Sequence, residues 1–124
     1  MAATISNEVF DAALSYISTN TETLYICSQQ PTTFLEASST YALGSKASLS
    51  FTGPADDTSG RKLTVDAISD GSVSADGTAV WIALTDDSGS ILLVAQALSA
   101  SQAVTNGNTF TLTAFDINLQ DPTA

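Results

Sequence analysis

The sequence predicts a mainly β protein, an antiparallel β-sandwich or open barrel with one N-terminal amphipathic α-helix. Three observations lead there. From about residue 23 onward the apolar residues alternate with a period of two, the mark of a strand with one buried face. Four β-rich runs, at residues 61–68, 78–85, 90–98 and 109–119, are separated by turn chemistry. The single segment with helical periodicity, at about residues 6–19, has too little surface to build a core of its own and must lay its apolar face on a sheet. The 124 residues suit one domain, residues 1–124, with the helix first and the β region at about residues 23–120.

The helix rests on Phe10, Ala13, Leu14 and Ile17, spaced i, i+3, i+4 and i+7. Ser6 or Asn7 is placed to cap it, and Glu8 and Asp11 lie in its first turn, where the helix dipole favours anions. Thr19-Asn20-Thr21 ends it, because such side chains compete for the backbone. Residues 23–27 then read as a strand, with Leu24 and Ile26 on one face and Tyr25 and Cys27 on the other. After Pro31, residues 32–41 fit either one short helical turn or a loop over the end of a sheet. A strand is expected within residues 41–51, with Leu49 and Phe51 on one face.

Residues 53–60, GPADDTSG, satisfy every local criterion for a loop. Beyond them, Asp70-Gly71, Asp76-Gly77 and Asn106-Gly107 tolerate positive φ, and Asp86-Asp87-Ser88-Gly89 suits a four-residue reversal. Gly71 fits a hairpin turn or a bulge ahead of Asp76-Gly77. Residues 91–94 are apolar on both faces, which predicts a central strand covered on two sides. In the last run Phe110, Leu112 and Ala114 hold one parity while Phe115, Ile117 and Leu119 hold the other. A bend or bulge near Ala114 follows.

Composition narrows function chiefly by exclusion. The chain has no histidine and one cysteine, Cys27, so Cys/His zinc sites, an intrachain disulfide and His-based nucleophile systems are all ruled out. Lys46, Arg61 and Lys62 are the only cations against 13 acids, a net charge of −10. Nucleic acid and anionic lipid surfaces are therefore poor partners. No apolar run approaches the roughly 20 residues a bilayer span needs. The first residues lack the pattern of a secretory signal, so synthesis in a cytoplasm is expected. Polarity comes instead from Ser and Thr, 34 of the 124 residues. These short side chains lose little rotamer freedom when covered and let another protein surface approach closely.

Few residues offer chemistry, and no cofactor motif is present, neither a phosphate loop nor a dinucleotide fingerprint. The pairs Asp56-Asp57 and Asp86-Asp87 carry the carboxylates a calcium site needs, without EF-hand spacing, and read better as turn acids. Glu8, Glu22 and Glu36 lack a motif for acid/base hydrolysis. Cys27, among apolar neighbours, reads as a small buried hydrophobe. Trp81 fits core packing or, in the sharper reading, a stacking platform for a sugar, with Tyr16, Tyr25 or Tyr41. Arg61 and Lys62 form the densest positive spot.

The order of several segments is similar to that in a family of small virion-associated proteins of tailed bacteriophages. The segments are FDAALSYI at residues 10–17, LYICSQQPTT at 24–33, DTSGRK at 57–62, AISDG at 67–71, WIALTD at 81–86 and GNTFTLTAFD at 107–116. They are packing and turn patterns with no catalytic signature. The resemblance implies a structural protein of the particle without enzymatic activity. It also implies a capsid cement or decoration protein, bound as an oligomer, expected to be a homotrimer, to the major capsid protein on the outside of the head. Arg61 and Lys62 are then candidate contacts with an acidic capsid surface. The alternative is a tail, neck or fibre-associated module that recognises a host glycan through Trp81 or binds another virion protein.

Overall fold

The computed structural model describes residues 5–57 and 60–120. The expected fold class is present: mainly β, wholly antiparallel in its strand pairing, with one N-terminal α-helix. The chain divides into two compact units that are interleaved along the sequence.

The first unit draws on residues 5–19, 50–67 and 113–120. Helix α1, Asn7–Asn20, starts one residue after Ser6, whose Oγ accepts the Glu8 backbone N–H at 3.1 Å as an N-cap. Phe10 and Leu14 are buried as the periodicity requires, whereas Ala13 is exposed. Strands β3 (Phe51–Asp56), β4 (Arg61–Val65) and β9 (Phe115–Leu119) form a three-stranded sheet in the order β3-β4-β9. Register places Leu63 beside Ile117 and Val65 beside Phe115, so one face is apolar. The opposite face carries Lys62, Thr64, Asp116 and Asn118 and is polar. A one-sided sheet of this kind needs a cover only on its apolar face.

Here the structure corrects the loop expected at residues 53–60. Strand β3 continues through Gly53 and Pro54 to Asp56, and Thr58 and Ser59 lie outside the described residues. Proline is tolerated because β3 is an edge strand and its pairing with β4 shifts between Thr52 and Ala55. The Gly53–Pro54 peptide bond is cis.

The second unit, residues 20–49 and 68–112, is built on a six-stranded sheet in the order β7-β6-β1-β2-β5-β8. Its strands are β1 (Thr23–Cys27), β2 (Ala42–Ala47), β5 (Ile68–Val73), β6 (Gly77–Asp86), β7 (Ile91–Val104) and β8 (Thr109–Leu112). Its two edges, β7 and β8, are consecutive in the chain, and Gln102 Nε2 on β7 donates to the Thr111 carbonyl on β8 at 2.9 Å. The sheet therefore curls into a half-barrel. Leu24, Ile26, Ile82 and Leu84 are fully buried on one face of β1 and β6. Tyr25, Cys27, Trp81 and Ala83 share the other. A short π-helical turn, Glu36–Thr40, puts Ala37 against Cys27 and Ala83 and resolves the ambiguity of residues 32–41 in favour of a helical turn.

Gly71 sits within β5, where pairing with β8 shifts between Ile68 and Gly71. The Phe110 ring lies over it, so that a Cβ at residue 71 would come within 2.2 Å of ring carbons. A glycine that looked like turn chemistry is thus a seat for an aromatic ring on the neighbouring strand. The bend near Ala114 is real: residues 113 and 114 break the run, and β8 and β9 join different sheets. Residues 91–94 depart from expectation, because β7 is an edge strand. Ile91 is 42% exposed, and Leu92, Leu93 and Val94, on both faces, are only half-buried.

Candidate functional surface

Arg61 and Lys62 are neighbours on β4 and point to opposite faces of its sheet. Arg61 Nε and Nη2 donate to the two carboxylate oxygens of Asp11 on α1, at 2.7 and 3.1 Å, and Nη1 donates to Asp56 at 2.6 Å. Its side chain is only 17% exposed. The bidentate fork ties the helix to the sheet in the planar geometry that Arg and carboxylate favour. Its hydrogen bonds to Asp11, then those to Asp56, push the guanidinium pKa further up. On the polar face Lys62 Nζ lies 3.7 Å from Asp116, which also accepts the Thr64 hydroxyl at 2.7 Å. Lys46 pairs with Asp70 at 3.2 Å. Each of the three cations is thus engaged with carboxylates of its own chain.

Trp81 is half-buried in a cluster with Cys27, Ala37, Ala83, Tyr25, Tyr41 and Leu92. Two of the three tyrosines considered with it, Tyr25 and Tyr41, pack against the same buried group of Cys27, Ala37 and Ala83, while Tyr16 lies on α1 and is 53% exposed. At the centre the Cys27 thiol lies 3.7 Å from the Ala37 carbonyl, and burial pushes its pKa up to about 11. The thiol is neutral and shielded, the opposite of a reactive cysteine.

The Asp86-Asp87 pair straddles the end of β6, where turn chemistry is expected, and serves to lock the turn. Asp87 Oδ2 accepts the Thr23 hydroxyl at 2.7 Å and the Tyr25 hydroxyl at 3.4 Å, and Oδ1 accepts the Thr85 hydroxyl at 2.6 Å. Tyr25 is held protonated by burial and by the Asp87 charge, which push its pKa up. Asp86 Oδ1 accepts the Gly89 N–H at 3.1 Å. Glu22 accepts the Ser88 N–H at 2.9 Å, and the Ser88 hydrogen bonds hold its carboxyl below the usual range. Sequence reasoning missed this convergence. Its only trace is the alternation that puts Thr23 and Tyr25 on the face of β1 shared with Thr85 of β6.

Other acids do the same work. Glu36 Oε1 accepts the Thr32 N–H and hydroxyl, each at 2.8 Å, and these bonds depress its pKa. Asp76 accepts the Asn106 N–H at 2.7 Å, joining two turns, and Asp57 accepts the Asn118 amide. Glu8 caps no partner in this way and sits in the first turn of α1. Among the described residues no group of three or more Cys, Asp or Glu is arranged to hold a metal ion, and no helix is long and apolar enough to cross a membrane. Comparison with family models, curated proteins and solved structures finds no match to the chain.

Proposed function

We propose that the chain is a non-enzymatic structural protein of a tailed-phage virion. In this reading it is a cement or decoration protein that binds the major capsid protein on the outside of the head as an oligomer. One observation carries this reading: most of the charged groups bond to the fold's own turns and strand ends, and short Ser, Thr and Ala side chains supply much of the rest of the polar and small-residue surface. Both acid pairs, Glu22, Glu36 and all three cations hold backbone or side chains of this chain in place. A rigid body of this kind acts by mass action, because binding only the assembled shell stabilises that shell in proportion to occupancy. Its acidity also keeps it from competing for packaged nucleic acid.

The test is a density map of intact particles, read together with the thermal stability of particles with and without the protein. The reading expects copies in register with the capsid lattice and a lower disruption temperature for particles lacking them. Copies confined to the tail, or equal robustness without the protein, would overturn it.

A further inference from the structure

We infer that two copies of this chain associate through β7, edge to edge and antiparallel, extending the six-stranded sheet across a two-fold axis. β7 is the longest strand, 14 residues, and it lies at the sheet's edge with one row of backbone N–H and C=O groups unpaired by any strand of the sheet. Such an edge is a template for another strand unless something blocks it. The other edges carry blocks. β3 contains Pro54, a bulge and Asp56; β9 contains Asp116; β8 is only four residues long. β7, with the sequence ILLVAQALSASQAV, has no charge, no proline and no glycine.

Charge selects the occupant. The chain carries −10, and its three cations are paired internally, so most surfaces of two copies bring acid toward acid. β7 against β7 opposes only neutral residues. The pairing of β7 with β6 is irregular between Leu84 and Thr85 and again between Ala79 and Trp81, which leaves Val94–Ala97 as the straight part of the edge. A two-fold axis at Ala95 sets Ala95 opposite its own copy, Val94 opposite Gln96 and Leu93 opposite Ala97 of the second copy, with each opposed pair on one face of the sheet. Ala97, Ser99, Ala100 and Ser101 are exposed beside it and offer no long side chain to displace. A contact of one strand per copy buries less than about 1,200 Å², so the dimer is a weak one. This inference stands apart from the virion reading: failure of either leaves the other intact.

The test is sedimentation equilibrium of the full chain over a wide concentration range, with hydrogen exchange at both ends of that range. The expected result is a monomer–dimer equilibrium, or a larger even assembly, with β7 amides gaining protection as concentration rises. Ala97→Lys/Ser99→Lys should weaken dimerisation by about tenfold or more, since lysine on an edge opposes strand addition. Gln29→Lys/Gln30→Lys makes the same charge change on an exposed bend and should leave it unchanged or slightly tighter. A chain that stays monomeric at every concentration, or stops at a trimer, would overturn the inference. So would an assembly whose β7 amides exchange equally fast at high and low concentration.

Discussion

Replacing Asp87 by alanine tests whether the hydroxyl–carboxylate cluster is a structural lock. Asp87 accepts short, charge-assisted bonds from Thr23 at 2.7 Å and Thr85 at 2.6 Å. The two losses are unequal. The Thr85 hydroxyl already lies 3.3 Å from the Thr23 carbonyl and can turn to it, whereas Thr23, 9% exposed, is left with the uncharged Tyr25 hydroxyl in place of a carboxylate. One bond to a charged group and one poorly satisfied buried hydroxyl together amount to about 2–3 kcal/mol. For a chain of this length that lowers Tm by roughly 8–12 °C. Asp87→Asn keeps one carbonyl acceptor and should cost about 1 kcal/mol. Urea unfolding followed by Trp81 fluorescence measures both, with the m-value unchanged if only stability moves. In a double-mutant cycle with Thr23→Val the coupling should reach about 1 kcal/mol. An Asp87→Ala variant within about 0.5 kcal/mol of wild type, or an additive cycle, would refute the reasoning.

The further outcomes concern four residues. Gly71→Ala forces the Phe110 ring off its seat and should destabilise by about 1–3 kcal/mol in denaturant unfolding. Gly107→Ala, at φ +90° with nothing within 4 Å of the new Cβ, should cost about 1 kcal/mol from backbone strain alone. Trp81→Ala should lower stability by about 2–3 kcal/mol, as expected of a half-buried packing residue. For Cys27, burial raises the folded pKa from 9.0 to about 11, so its stabilising share is complete below pH 9 and is lost as pH rises toward 11. Urea midpoints should therefore fall across that window in wild type and fall less in Cys27→Ala. The thiol should react with a disulfide reagent at pH 8 only as fast as the protein opens.

The fold was legible wherever pattern reports local packing. Phe10 and Leu14 announced the helix, and the parity change across Ala114 announced the break between β8 and β9. What failed were inferences from one strand's sequence to its neighbours. ILLV at residues 91–94 looks like a central strand because apolar residues mark burial on both faces equally well, yet no pattern says which strand lies at an edge. GPAD at residues 53–56 looks like a loop because proline lacks an N–H, a lack that matters little on an edge strand with a bulge. The acid pairs were legible as turn acids. That Asp87 gathers hydroxyls from residues 62 and 64 positions away was not, because β1–β6 register decides it. Arg61 stood out as positive charge, and its partners on α1 and β3 emerge only in three dimensions.

The interleaving of the two units bears on how the chain is made. β4 lies between β3, just upstream, and β9, which is made only after four strands of the second unit. Its sheet stays one strand short until the four intervening strands β5–β8 have been made, and no contiguous fragment contains all three strands without spanning most of the second unit. A nascent chain stalled after residue 112 would hold every strand of the half-barrel while Leu63 and Val65 still lacked Ile117 and Phe115 beside them, the stage at which chaperone capture or misassembly is most to be expected.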